Sequence, residues 1–244
     1  MDEKMNVLTS IKTNYTSWTA ICISICIVSY PFVSAGFITF VSLLLLAYFV
    51  HRGSHDFRNA FTILHHYHHE NNNFFSHFSQ ILLELSFITV VMPFYYVLGD
   101  YYVNIWTAIS FILFYSTVHN FNYGQLRIND VHFLHHKDIY TNIGPDICDV
   151  AFNTKNPKNT EVENTDHYIP NIIVVSIIVL LLKHFSTNDN IKNILIHVLT
   201  WFITFGILFI SISSVYLSYN YEDPKKEKST ENIANKELDL GIKI

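Results

Sequence analysis

Fourteen histidines stand against three cysteines in this chain of 244 residues, and imidazole is the side chain most often found on a protein-bound metal. Twelve of the fourteen fall between His51 and His167. In HRGSH, His51 and His55 are spaced i, i+4 and share one helical face. In LHHYHH, His65, His68 and His69 form HxxHH, and HFLHH repeats that spacing with His132, His135 and His136. Eight imidazoles from three clusters exceed the four ligands of a structural zinc and suffice for two metal ions with positions left open. The absence of paired cysteines argues against a zinc finger. The absence of carboxylates at ligand spacing within the clusters argues against the Glu-x-x-His di-iron bundle. Imidazole suits iron, zinc and copper alike, so spacing leaves the metal open. His119, at the exit of an apolar segment, and His167, just ahead of another, are further candidate ligands. His66 and His77 fall outside the repeated spacing and read as supporting or surface residues, and His184 and His197, in or beside apolar runs, as structural.

These side chains need elements to hold them. If one helix continued past His51, the fourteen residues to His65 would make close to four turns and set both clusters on one stripe. Half the residues are hydrophobic and only 14% are charged, which points to a membrane protein. No Asp, Glu, Lys or Arg occurs between residues 13 and 50; as one helix that run would span about 55 Å against a hydrocarbon core of about 30 Å. It must fold back near Pro31 and the Ser34, Ala35, Gly36 cluster, giving segments over residues 18–30 and 37–50. A cleavable signal peptide fits so long a run poorly. A second pair covers residues 81–98 and 102–118, parted by Gly99 and Asp100, and a third covers 169–185 and 194–219. Three hairpins return the chain to one side and bring the histidine-rich stretches to a common face, taken as cytosolic.

The expected fold is therefore an all-α integral membrane helical bundle, with four to six membrane helices in hairpins and a histidine-rich helical cap on the cytosolic face. Residues 1–220 form one membrane domain and 221–244 a disordered charged tail. Glu84, inside an apolar segment, reads as interfacial, with a buried carboxylate in a substrate pocket as the alternative. Asp130, Asp138, Asp146 and Asp149 are candidates to accept from the outer ring nitrogens of ligand histidines. The abundant asparagine reads as compositional bias. A net charge of −5 with scattered basic residues excludes nucleic-acid binding. Cys22 and Cys26 in an apolar run and an isolated Cys148 make no disulfide framework, which points to a reducing compartment.

HRGSH, LHHYHHE, VHNFNYG and then HFLHH followed by NIGPDICDVAFNTKNP resemble the histidine boxes and the segment after the last box of the fatty acid hydroxylase and sterol desaturase superfamily. The likeness runs from Phe49 to Pro157, with Gly144, Pro145, Asp146, Asp149, Phe152 and Thr154 matching the segment after the last box. It implies two metals, usually assigned as iron though zinc can occupy the site in preparations, on the cytosolic side of the endoplasmic reticulum membrane. The implied ligands are His51, His55, His65, His68, His69, His132, His135 and His136, with His119 matching a histidine before the last box. It also implies O2-dependent hydroxylation or desaturation of a lipid such as a fatty acyl chain or sterol. No HPGG-like haem motif occurs, so the implied electron source is a separate cytochrome b5 or reductase.

Other readings fare worse. A histidine-rich membrane metal carrier would set ionisable residues along its helices, whereas these clusters lie at the edges of apolar segments. An intramembrane metalloprotease needs HExxH, but Asn71, Asn72 and Asn73 follow His69 and Glu70. A metal-binding or structural protein without catalysis stands as the alternative.

Overall fold

A computed structural model describes residues 5–60, 62–159 and 161–221; apart from Tyr221, the charged tail expected over 221–244 lies outside them. Every regular element among the described residues is helical: α1 (Val7–Thr13), α2 (Tyr15–Ser29), α3 (Val33–Asp56), α4 (Ile63–Glu70), α5 (Phe74–Leu85), α6 (Ile88–Leu98), α7 (Ile105–Thr117), a π-helix (Val118–Gln125), α8 (Val131–Lys137), α9 (Asp146–Phe152), a 3-10 turn (Asp166–Tyr168), α10 (Ile169–Phe185) and α11 (Asp189–Asn220). Asn6, Asn73, Asn104 and Asn188 each accept a first-turn backbone N–H through their side chains, starting α1, α5, α7 and α11. These asparagines set helix starts, a local role that composition alone did not suggest.

Four helices are long and apolar enough to cross a membrane: Val33–Asp56, Phe74–Leu98 (α5 and α6 in one run), Asp166–Phe185 and Asp189–Asn220. The shorter α2 is also apolar. The first pair reverses at residues 30–32, so Ser34, Ala35 and Gly36 fall in the first turn of α3 rather than in the break. Gly36 instead permits contact between helices, because a Cβ there would sit 2.5 Å from the Cβ and Oγ of Ser29. Helix α10 covers the expected segment, whereas α5 and α11 begin several residues earlier than expected, at their asparagine caps.

Helices α2, α3, α7 and α10 pack on one another, burying Ile21, Ile25, Phe40, Phe111 and Ile172 among others. Helix α4 packs against both α5 and α11, with the fully buried Leu64 clustered with Ile63 and with Leu217 of α11. Helix α1 lies on α9, and the contact between the amino-terminal helices and the segment after the last box is polar and buried. The Asn14 Nδ2 donates to the Glu163 carbonyl (2.9 Å), and the Thr165 N–H donates to Asn14 Oδ1 (2.8 Å). Beside them, Lys155 pairs with Asp146, their side chains 9% and 2% exposed.

One expectation fails. The first two histidine clusters do not share a continuous helix, because α3 ends at Asp56, the chain turns, and α4 starts afresh at Ile63. The turn is held locally: the Thr62 hydroxyl donates to the Phe57 carbonyl, and a ring nitrogen of His66 lies 3.2 Å from the same oxygen. That contact also places His66 outside the ligand spacing.

Candidate metal centre

Each cluster arrives on its own helix. His51 and His55 occupy the last turns of α3, His65, His68 and His69 one face of α4, and His132, His135 and His136 the face of α8. They interleave. Ring nitrogens of His51, His55, His65 and His69 lie within 4.8 Å of one another, as do those of His68, His132 and His136. His135 joins the first group, its ring 4.8 Å from those of His51 and His69, and fully buried. His119, in the first turn of the π-helix, stands beside the second, with ring distances of 4.5 Å to His132 and 5.7 Å to His68. The groups adjoin where His69 and His136 approach to 4.3 Å.

Nine of the ten expected ligands therefore converge, and His167 stands apart. Its Nδ1 lies 3.1 Å from the Asn164 carbonyl and its Nε2 3.8 Å from Glu163. Tyr123 lies between, its ring 5.9 Å from His132 on one side and 5.6 Å from His167 on the other. The Tyr123 hydroxyl donates to Glu163 Oε1 (2.6 Å), whose carboxyl is pushed up to about 7 by burial. His77, half-buried, lies 2.7 Å from Asn72 Oδ1 with its ring 5.7 Å from that of His68, beside the second group, while His184 and His197 are exposed on α10 and α11.

Burial, and secondarily the neighbouring imidazoles, hold six of these rings, those of α4 and α8, below the ordinary histidine range. His65, His69 and His132 are driven well below 6.5, His68 to about 2, His135 to about 3 and His136 to about 4. Neutral imidazole is the form that binds a metal.

At four of the rings an acceptor engages the outer nitrogen and orients the ring, whereas the buried Nδ1 of His51 and that of His69 have no hydrogen-bond partner. His135 Nδ1 donates to the Thr141 carbonyl (2.8 Å), His68 Nδ1 lies 3.2 Å from Ser76 Oγ, and His65 Nδ1 lies 3.3 Å from Gln80 Oε1. His119 Nδ1 pairs with Glu84, whose side chain is 6% exposed. With Nδ1 donating, the lone pair sits on the inward Nε2. The Nε2 of His65 faces two other ring nitrogens, those of His55 at 3.3 Å and His69 at 3.1 Å. One lone pair cannot properly serve two neighbours, whereas a cation set among the three rings satisfies them together. The buried His68 Nε2 has no hydrogen-bond partner. Clustered neutral nitrogens with inward lone pairs fit a pair of divalent metal ions.

No family model, no curated protein and no solved structure matches this chain.

The carboxylates expected around the centre are elsewhere. Asp146 is taken by Lys155, and Asp149 accepts from the Gly144 N–H (2.8 Å) and the Thr154 hydroxyl (2.7 Å). Asp130 and Asp138 flank α8: the Asp130 carbonyl accepts from the Leu134 N–H at its start, and the Asp138 N–H donates to the Leu134 carbonyl at its end. The supporting residues are instead Ser76, Gln80, Glu84 and Thr141. Of these only Glu84 carried a signal, as a lone carboxylate in an apolar segment, and it is buried against His119 rather than interfacial. Beside the first group a cavity of about 580 Å³ opens among α3, α5, α6 and α7. Its walls are mostly apolar, among them Leu46, Val50, Phe57, Leu83, Phe87 and Ile112, and they reach His51, His65 and Glu84.

Proposed function

We propose that this chain is an O2-dependent di-iron membrane oxidoreductase that hydroxylates or desaturates a lipid. The observation that carries the reading is the junction of two groups of neutral imidazoles with a largely apolar cavity of about 580 Å³, bounded by helices apolar enough to lie in a bilayer. Its size is in the range of small-molecule pockets, and its lining suits an acyl chain or a sterol. The likeness of the boxes and of the segment after them to the fatty acid hydroxylase and sterol desaturase superfamily supports iron over the other metals that imidazole accepts. We assign the histidine face to the cytosolic side of the endoplasmic reticulum membrane and the electrons to a separate cytochrome b5 or reductase.

Bound iron would supply the activation of O2 that breaks an unactivated C–H bond. The chain's own share is positional. His51, His55, His65, His69 and His135 would hold one ion, and His68, His132 and His136, with His119 alongside, the other. Side chains such as Leu83, Phe87 and Ile112 keep the cavity dry and seat the lipid against the His51 and His65 end.

The test is metal content per chain in detergent-purified protein, wild type beside His135→Ala and His68→Ala, with lipids of the expressing cells profiled in parallel. The expected result is about two irons per chain and a hydroxylated or desaturated lipid, both lost in each variant. Well-occupied zinc with no lipid change would favour metal binding without catalysis, and properly folded protein that holds no metal would overturn the centre.

A further inference from the structure

Glu84 is a carboxylate buried within an apolar run, a costly placement unless donors surround it. Three do. Its Oε1 accepts from Gln80 Nε2 (2.9 Å) and from His119 Nδ1, and its Oε2 accepts from Asn120 Nδ2 (2.6 Å). His119 and Asn120 are consecutive, and in the π-helix that carries them both side chains reach the same carboxylate. Gln80 lies one turn earlier on α5, and its amide has only one consistent orientation here. Its NH2 must face the carboxylate, so its Oε1 faces His65 Nδ1 at 3.3 Å. His65 must then carry its proton on Nδ1 and present a bare Nε2 to the first group. By the same logic His119 donates through Nδ1 to Glu84 and offers Nε2 beside His132 and His68. A hydrogen-bonded strut, His65–Gln80–Glu84–His119, thus joins the two imidazole groups.

We propose that Glu84 is a positioning residue: as the acceptor at the centre of this strut, it fixes the ring tautomers of His65 and His119 and thereby prepares both groups for metal at once. This rests on the reading of the two groups as a metal centre. The role belongs to the acceptor geometry rather than to the negative charge. Glutamine at the same place can still accept from His119 through its own oxygen, and its NH2 is accommodated once the Asn120 amide turns over to present its unpartnered Oδ1, exchanging its bond to the Ser116 carbonyl for one to the glutamine. Leucine has the bulk and no acceptor.

The test titrates Co2+ into the metal-depleted full-length chain in detergent, counting bound ions by elemental analysis and following the visible cobalt bands. Wild type, Glu84→Gln, Glu84→Leu and Gln80→Met are compared, with thermal unfolding recorded for each. The expected result is two ions in wild type and in Glu84→Gln, and affinity lowered about 10- to 100-fold with altered cobalt bands in Glu84→Leu. Gln80→Met, which cuts the strut on the far side of Glu84, should weaken the His65 group more than the His119 group. If Glu84→Leu folds poorly, Gln80→Met and Glu84→Gln still decide the matter. Wild-type affinity and spectrum in both Glu84→Leu and Gln80→Met would overturn the inference, as would a Glu84→Gln variant as weak as Glu84→Leu. A folded wild-type chain that takes up no ions would instead overturn the metal centre, and this inference with it.

Discussion

Replacing Lys155 by methionine strips the buried Asp146 of its cation while keeping most of the side chain's bulk. The two side chains are 9% and 2% exposed. The other contacts to that carboxylate are long, 3.3 Å from the Ser10 hydroxyl and 3.4 Å from the Glu163 N–H. Breaking one side of such a buried pair typically costs about 3–5 kcal/mol. At roughly 2–4 °C per kcal/mol for a chain of this size, Lys155→Met should lower the unfolding temperature by about 6–20 °C. Adding Asp146→Asn removes the orphaned charge and should return most of that loss, so the cycle reports coupling directly. Thermal unfolding in detergent is the assay, with metal content counted on the same samples. Because Asp146 touches Lys155 and not a histidine, the double variant should keep its ions. An unchanged unfolding temperature in Lys155→Met would refute the burial argument, and metal lost from the stable double variant would restore Asp146 to the centre.

Gly53 lines the large cavity within α3, and a Cβ there would meet nothing within 4 Å. Gly53→Ala should therefore stabilise the chain by about 0.5–1 kcal/mol, whereas Gly53→Phe should fill the cavity and abolish the lipid product with metal content intact, as lipid profiling and elemental analysis would show. His135 and His136 are held at about 3 and about 4, below the 6.5 of the unfolded chain. Their contribution is thus fully present above about pH 6.5 and falls as the unfolded chain takes up protons that the folded chain refuses, by about 1.4 kcal/mol per pH unit for each ring. Unfolding of the metal-depleted chain at a series of pH values from neutral to mildly acidic would show the slope, and a flat profile would contradict it. Gly36→Val would force α2 and α3 apart at Ser29 and should cost about 1–3 kcal/mol, read as a lower unfolding temperature.

The histidine spacing made most of the centre legible, because HxxxH and HxxHH each state which rings share one helical face. Residues that meet only through long-range folding were not legible in this way. Ser76 and Gln80 are ordinary polar residues until α5 packs beside α4, and Thr141 acts through its backbone carbonyl, which no side-chain pattern encodes. The break between α3 and α4 was missed because hydrophobic periodicity does not show where a helix of mixed polarity stops. Asp146 and Asp149 were candidates to accept from the ring nitrogens, yet Lys155 and Thr154 engage them instead. His167 stands apart, its Nδ1 held by the Asn164 carbonyl and Tyr123 between it and His132. The apolar segments were read correctly in type and order, and their starts were displaced where asparagine caps lay outside the hydrophobic run.

Helix α4 brings three of the converging rings, and its buried Leu64 is covered by Leu217 of α11. A ribosome therefore delivers all three histidine boxes well before the chain segment that seats the middle one. During synthesis the centre must wait, half built, for the last described helix to emerge and dock. On the proposed reading, metal loading would follow the docking of this helix, and a chain shortened ahead of Leu217 would carry every proposed ligand in its sequence yet lack the packing that covers α4.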